Sequence, residues 1–179
     1  MNNIKSTTIL GVRIGKKIAL GGDGQVTIGN IKMKSKAVKV RSFQKGKVLT
    51  GFAGAAADAM ALFEKFEGKL DEMNGNLQRA VVEMAKEWRT DKVLKELDAL
   101  LAIMDHKNSY ILSGSGDVIE PDDRIITIGS GSGYALAAAR AFIESGNKDP
   151  EKIVKQSLTI VSDICIYTNN QITVIKSNG

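Results

Sequence analysis

Apolar positions fall into short β-like runs at both ends of the chain, with helical periods between them. Thr7-Thr8-Ile9-Leu10-Gly11-Val12 is β-branched and apolar and predicts a first strand. A turn at Gly15-Lys16 leads to a second strand, Ile18-Ala19-Leu20, ending at Gly21-Gly22-Asp23-Gly24. Residues 39–43 and 47–52 flank Gln44-Lys45-Gly46 and predict a hairpin. Residues 55–70 then read as a helix with Met60, Phe63 and Phe66 on its apolar face, and Leu62 and Ala59 beside them. Leu77, Val81, Met84 and Trp88 repeat that period, and Leu94, Leu97 and Leu101 resume it after a phase slip near Thr90-Asp91, so a kink is expected there.

Strand signals return at residues 109–113, 117–120 and 124–129. An Ala-rich helix over 134–144 follows Gly129-Ser130-Gly131-Ser132-Gly133. Asp149-Pro150 is an N-cap with proline at the first helical position. The helix it opens carries Ile153, Val154, Ser157, Leu158, Ile160, Val161 and Ile164 on one face, and a strand over 171–175 closes the pattern. Strands, two helices, strands, two helices and a strand argue for α+β layers: two sheets, with a helix pair outside each.

Composition narrows the chemistry. With 43% hydrophobic and 25% charged residues in 179, the chain reads as one ordinary globular domain able to bury a full core. No run of eighteen apolar residues predicts a membrane helix, and the N-terminus lacks a signal-peptide apolar region. The single cysteine, Cys165, fits a reducing cytoplasm. The net charge of +5 raises nucleic acid as a partner. Yet the basic stretch with Lys32, Lys34, Lys36, Lys39 and Arg41 is interleaved with apolar positions, and only 5% of residues are aromatic, so no nucleic-acid role is expected. His106 is the only histidine and sits in a polar turn, which leaves no histidine-based triad or two-histidine metal site away from it.

Taken singly, the candidate positions stay ambiguous. The Gly129–Gly133 loop joins a strand to a helix, as an anion-binding turn or an ordinary connection does, but it departs from the dinucleotide fingerprint at Tyr134. Asp23 between glycines reads as a turn residue, Lys39 as a solvated lysine, and Thr7-Thr8 as strand formers. No phosphate-loop motif occurs, so no ATP site is expected in this chain.

Their order is more specific. Thr7-Thr8-Ile9, Gly22-Asp23-Gly24-Gln25-Val26-Thr27, Lys39-Val40-Arg41 and Gly51-Phe52-Ala53-Gly54 with Ala57-Asp58-Ala59 follow one another along the chain. Ala85-Lys86-Glu87-Trp88-Arg89-Thr90-Asp91, Ile128-Gly129-Ser130-Gly131 with Tyr134-Ala135, and Asp163-Ile164-Cys165-Ile166-Tyr167-Thr168-Asn169 come after them. Together they resemble the HslV (ClpQ) family of proteasome-like peptidases, partnered by the ATPase HslU (ClpY), across nearly the whole chain.

The resemblance implies the N-terminal nucleophile hydrolase fold, a four-layer αββα sandwich like a proteasome β-subunit. It implies a short leader, residues 1–6, ahead of a single peptidase domain, residues 7–179. It implies a threonine endopeptidase in which the Thr7 hydroxyl attacks and the Thr7 α-amine is its base. Lys39 would sit beside the nucleophile and Asp23 would hold Lys39. Gly51 would offer an oxyanion N–H, its missing side chain letting substrate approach, and Ser130 would orient the amine. A sodium ion would lie on main-chain carbonyls of Ser162, Cys165 and Thr168, with Ser162 standing where the family has glycine and the Cys165 thiol inert. Ser6 is a second candidate N-terminus; the step from Thr7 to Asp23 favours Thr7. The implied partners are further copies of the chain in two stacked six-membered rings, an AAA+ ATPase that activates it, and unfolded protein substrates. An inactive ring-forming relative is the first alternative, and a basic nucleotide- or nucleic-acid-binding domain the second.

Overall fold

The structure is a computed structural model and describes residues 7–54, 56–92, 94–97 and 99–179. The expected leader and the alternative N-terminus Ser6 lie outside the described residues. In chain order the elements are β1 (Thr8–Ile14), β2 (Lys17–Asp23), β3 (Val26–Ile28), β4 (Ile31–Lys34), β5 (Val40–Phe43) and β6 (Val48–Ala53). Then come α1 (Ala56–Glu72), α2 (Leu77–Thr90), β7 (Leu100–Met104), β8 (Ser109–Ser113), β9 (Val118–Ile119) and β10 (Ile125–Gly129). α3 (Ser132–Glu144), α4 (Pro150–Ile164) and β11 (Ile172–Ser177) complete the order.

Two antiparallel sheets form, one ordered β10-β1-β2-β11 and the other β5-β6-β7-β8-β9, with β3 and β4 as a separate hairpin. Alternating side chains give each sheet two buried faces. Ile9, Ile18 and Leu20 of the first sheet meet Val40, Leu49, Ala102 and Met104 of the second. On the outer face of the first sheet, Leu10, Val12 and Ala19 pack under Ala135, Ala139, Ile153, Val154, Leu158 and Val161 of α3 and α4. On the outer face of the second, Phe43, Phe52, Leu101 and Ile103 pack under Leu62, Phe63, Phe66, Met84 and Trp88 of α1 and α2. The expected αββα sandwich is the observed architecture. Asp149 caps α4 as expected, accepting from the N–H groups of Glu151 and Lys152.

Three local expectations give way, and one element goes unseen in the sequence. Leu94, Leu97 and Leu101 do not continue a kinked helix. α2 ends at Thr90, a 3₁₀ turn spans Leu94–Glu96, and residues 100–104 form β7. β7 is central in its sheet and covered on both sides, so its apolar run carries no period-2 signal. The second strand does not stop at Leu20 but runs through Gly21 and Gly22 to Asp23. A Cβ on Gly21 would stand 2.7 Å from Val154 Cγ1, and one on Gly22 2.6 Å from Ile9 Cδ1. These glycines serve close approach on both faces rather than a turn. The β3–β4 hairpin is hidden in the sequence by its lysines and its fully exposed second strand. Met60, Ile160 and Ile164 lie outside their helices' buried faces, at 49%, 40% and 54% exposure.

Gly51 shows the same close approach between the sheets. A Cβ there would stand 2.5 Å from Ile9 Cγ2 and 3.1 Å from Leu20 Cδ2. Gly51→Ala is therefore expected to destabilise the fold by about 1–3 kcal/mol through overpacking. Urea unfolding checks this; an unchanged midpoint and slope would contradict it.

Candidate active site

β1 is a central strand, held by β10 on one side and β2 on the other, so its first residues have fixed positions. Side chains alternate along it. Ile9 points into the space between the sheets and Leu10 toward the outer helices. Thr7 shares the parity of Ile9 and lines a cleft at the sheet ends, whereas Thr8 shares the parity of Leu10.

The turn after β10 grips Thr7 from behind. The Ser130 N–H donates to the Thr7 carbonyl at 2.9 Å, and the Ser130 hydroxyl donates to the same oxygen at 3.3 Å. The Gly131 N–H donates to Thr8 Oγ1 at 3.1 Å. Gly129 adopts φ +94°, open to glycine at little cost, and a Cβ on it would overlap the Thr7 carbonyl. The glycine-rich loop thus spends two of its N–H groups on the start of β1, which settles its role as a strand-to-helix connection that holds a neighbouring strand.

Asp23 ends β2 with no exposed surface. Its Oδ1 accepts from the Thr8 N–H at 2.9 Å and from Lys39 Nζ at 3.0 Å. Its Oδ2 accepts from the N–H groups of Gln25 at 2.8 Å and Asn169 at 3.3 Å. Lys39 also donates to the Gln25 carbonyl. At 8% exposure it is not the solvated lysine its neighbours suggest. Burial pulls the Lys39 pKa below the ordinary lysine value, and the Asp23 carboxylate opposes that shift.

The cleft has a volume of about 310 Å³ and includes Thr7, Lys39, Arg41, Gly54, Met60 and Phe63 in its walls. The Arg41 guanidinium lies 5.3 Å from the Phe63 ring centre and donates to Met60 Sδ at 3.4 Å. Gly51 does not line it. Gly51 pairs with Val40 on one side and Ala102 on the other, while the next N–H, of Phe52, donates to the Lys39 carbonyl at 3.0 Å. In an antiparallel ladder this alternation turns the Gly51 N–H toward β7, away from the cleft. Its missing side chain faces Ile9, so it makes room for the opposite sheet rather than for substrate. The same alternation turns the Gly54 N–H toward the β5 side. Gly54 lies in the cleft wall with φ +153°, a value that favours glycine. Sequence reasoning missed Gly54; its signal was the glycine closing Gly51-Phe52-Ala53-Gly54.

The remaining candidates sit behind the site. Ser162 lies in the last turn of α4 with a half-buried side chain, and it is not among the described residues with positive φ, so its backbone does not require the glycine usual there. Cys165 caps that helix, and its carbonyl accepts from the Thr168 N–H at 2.9 Å. The Cys165 thiol touches Ser130 Oγ at 3.8 Å, so its side chain reaches the back of the site. His106 contacts the Lys16 carbonyl and lies 3.3 Å from Ser177 Oγ. That is the far end of β2 from Asp23, roughly 20 Å away at about 3.3 Å per strand residue.

The chain matches the proteasome-subunit family over residues 4–176. The ATP-dependent protease subunit HslV of Caldicellulosiruptor saccharolyticus is 55% identical over 172 residues, covering 96% of this chain and 98% of that relative. The crystal structure of eukaryotic HslV from Trypanosoma brucei superposes with a TM-score of 0.89 at 44% identity, over 94% of this chain and 98% of that one. Thiobacillus denitrificans BPH, in complex with Epoxomicin, shares the fold at a TM-score of 0.75 and 18% identity, over 95% and 97% of the two chains. In sequence and in three-dimensional structure alike, this chain belongs to the proteasome-subunit family, among its HslV peptidases.

Proposed function

We propose that this chain is the proteolytic subunit of an ATP-dependent protease, a threonine endopeptidase whose nucleophile is Thr7. The observation that carries the assignment is a threonine lining the cleft, its carbonyl held from behind by Ser130, with a buried lysine held by Asp23 in the same cleft wall.

With residues 1–6 removed, Thr7 bears both a hydroxyl and a free α-amine. A free α-amine has a pKa of about 7.7–8.0, so a useful fraction is neutral near pH 7. The amine takes the hydroxyl proton as the oxygen attacks the scissile carbonyl. It returns that proton to the leaving amine, and an ester to Thr7 remains. Water, deprotonated by the same amine, then hydrolyses the ester and frees the hydroxyl. The Lys39 ammonium favours the neutral amine by like-charge repulsion and the developing alkoxide by attraction. The Gly54 N–H takes the oxyanion role first expected of Gly51, where one donor is worth about 10²–10³ in rate. Ser130 acts on the carbonyl of Thr7 and so orients the amine indirectly.

A sodium ion would lie on the main-chain carbonyls of Ser162, Cys165 and Thr168, neutral oxygens of which the first two stand at the negative end of the α4 dipole. There it would supply a fixed positive charge that orders the loop after α4. The apolar cleft suits side chains of unfolded proteins. A separate ATPase would deliver them and raise a low basal activity, since this sequence carries no phosphate-loop motif. Two stacked rings of six copies in the cytoplasm complete the proposal. No described helix is long and apolar enough to cross a membrane.

Intact mass spectrometry of protein made beside its ATPase is expected to show loss of residues 1–6. Thr7→Ala is expected to lower kcat by at least about 10³-fold. Wild-type rates from that variant, or from protein retaining its leader, would contradict the mechanism.

The pH profile has two limbs. Activity needs the neutral amine, so it rises with pH through the amine pKa. It also needs the Lys39 ammonium, so it falls as pH rises through the Lys39 pKa, which burial has lowered. The alkaline limb is therefore expected below the ordinary lysine range. Lys39→Arg, slower overall, should lose that limb because guanidinium keeps its proton. A wild-type activity that stays at its plateau, with no alkaline fall up to and through the ordinary lysine range, would refute the role of Lys39.

A further inference from the structure

We propose that Thr168 is a positioning residue for Thr7, its side-chain hydroxyl fixing the nucleophilic residue from the sheet face opposite the cleft. This rests on the reading of Thr7 as the nucleophile. It concerns the hydroxyl of Thr168, a different group from the carbonyl offered to a cation.

Thr168 stands in the loop between α4 and β11, far in sequence from Thr7, and is 4% exposed. Its Oγ1 lies 2.7 Å from Oγ1 of Thr8, which is fully buried. Thr8 is held at two further points, by the Gly131 N–H on its hydroxyl and by Asp23 Oδ1 on its own N–H. Thr7 is joined to Thr8 by a planar peptide unit. Fixing Thr8 and the Thr7 carbonyl therefore leaves the side chain and amine of Thr7 as its only free parts. The same loop reaches the site twice more, through Cys165 Sγ on Ser130 Oγ and the Asn169 N–H on Asp23 Oδ2.

Of these contacts, the Thr168–Thr8 pair is the only one in which a loop side chain bonds directly to the residue adjoining the nucleophile. There is no slack in the packing around it, since a Cβ on Gly131 would collide with Thr8 Oγ1 and come within 3.2 Å of Thr168 Oγ1. Without the Thr168 hydroxyl, the geometry at the start of β1 rests on Ser130, Gly131 and Asp23 and on the pairing of Thr8 with Gly129, and Thr8 Oγ1 loses its one side-chain partner. A small misplacement of a reacting group costs up to about 10²-fold in rate. Substrate binding in the cleft is untouched, because Thr168 lies across the sheet from it.

The test compares processed, assembled wild type, Thr168→Val, Thr168→Ser, Thr8→Val and the Thr8→Val/Thr168→Val double variant, each with ATPase and ATP, on a fluorogenic peptide. Valine keeps the shape and removes the hydroxyl. Thr168→Val is expected to lower kcat by about ten- to a hundredfold with KM within roughly twofold and an unchanged melting temperature. Thr168→Ser is expected to recover most of the rate, and the double variant to be no slower than the slower single. Wild-type kcat in Thr168→Val, equal losses in the serine and valine variants, or multiplying losses in the double variant would each overturn the proposal. Should Thr168→Val lose its melting transition, Thr168→Ala is read by the same criteria. Full activity in a Thr7→Ala control would instead sink the underlying assignment of Thr7.

Discussion

The site depends on one buried carboxylate. Asp23 receives four donors from four separate stretches of chain: Thr8 on β1, Gln25 beyond β2, Lys39 ahead of β5 and Asn169 ahead of β11. Taking a carboxylate and an ammonium out of water costs several kcal/mol per ion, and only close pairing with further hydrogen bonds offsets it. Asp23 and Lys39 meet both conditions at 0% and 8% exposure. The arrangement thus has one stable geometry, and in it the two sheets and the C-terminal loop are locked beside Thr7. The chemistry inherits its precision from that lock.

Around the lock, the backbone must come unusually close to its neighbours. Gly22 and Gly51 let the sheets meet at Ile9, and Gly129 and Gly131 let the turn after β10 press against Thr7 and Thr8. Strand parity then divides the two threonines. Thr7 faces the cleft and Thr8 faces the helices, where its hydroxyl becomes a fixed point rather than a reagent. One-residue precision at the start of β1 therefore decides which hydroxyl lies on the cleft side of the sheet.

Much of this was legible in the chain. The buried face Leu77, Val81, Met84 and Trp88 and the cap at Asp149-Pro150 follow from periodicity and capping chemistry, and both appear as expected. β7 was not legible, because a strand covered on both faces carries no alternation. Gly21-Gly22 read as a turn because close packing and turns use the same residue for different reasons. In the site, Thr7, Asp23, Lys39 and Ser130 were named through family resemblance; periodicity alone would have passed over each. Gly51 and Gly54 lie in one short motif, and only the direction of the ladder's hydrogen bonds separates their roles. The contact of Thr168 with Thr8 had no local signal at all, since it joins the two ends of the chain.

The central claim is that Asp23 and Lys39 act as one buried unit. A double-mutant cycle in urea unfolding tests it with Asp23→Asn, Lys39→Met and both together. The predicted result is that Asp23→Asn alone, which strands a buried ammonium, costs about 3–5 kcal/mol. The double variant should cost less than the sum of the two singles by at least about 1 kcal/mol. Additive costs would contradict the account.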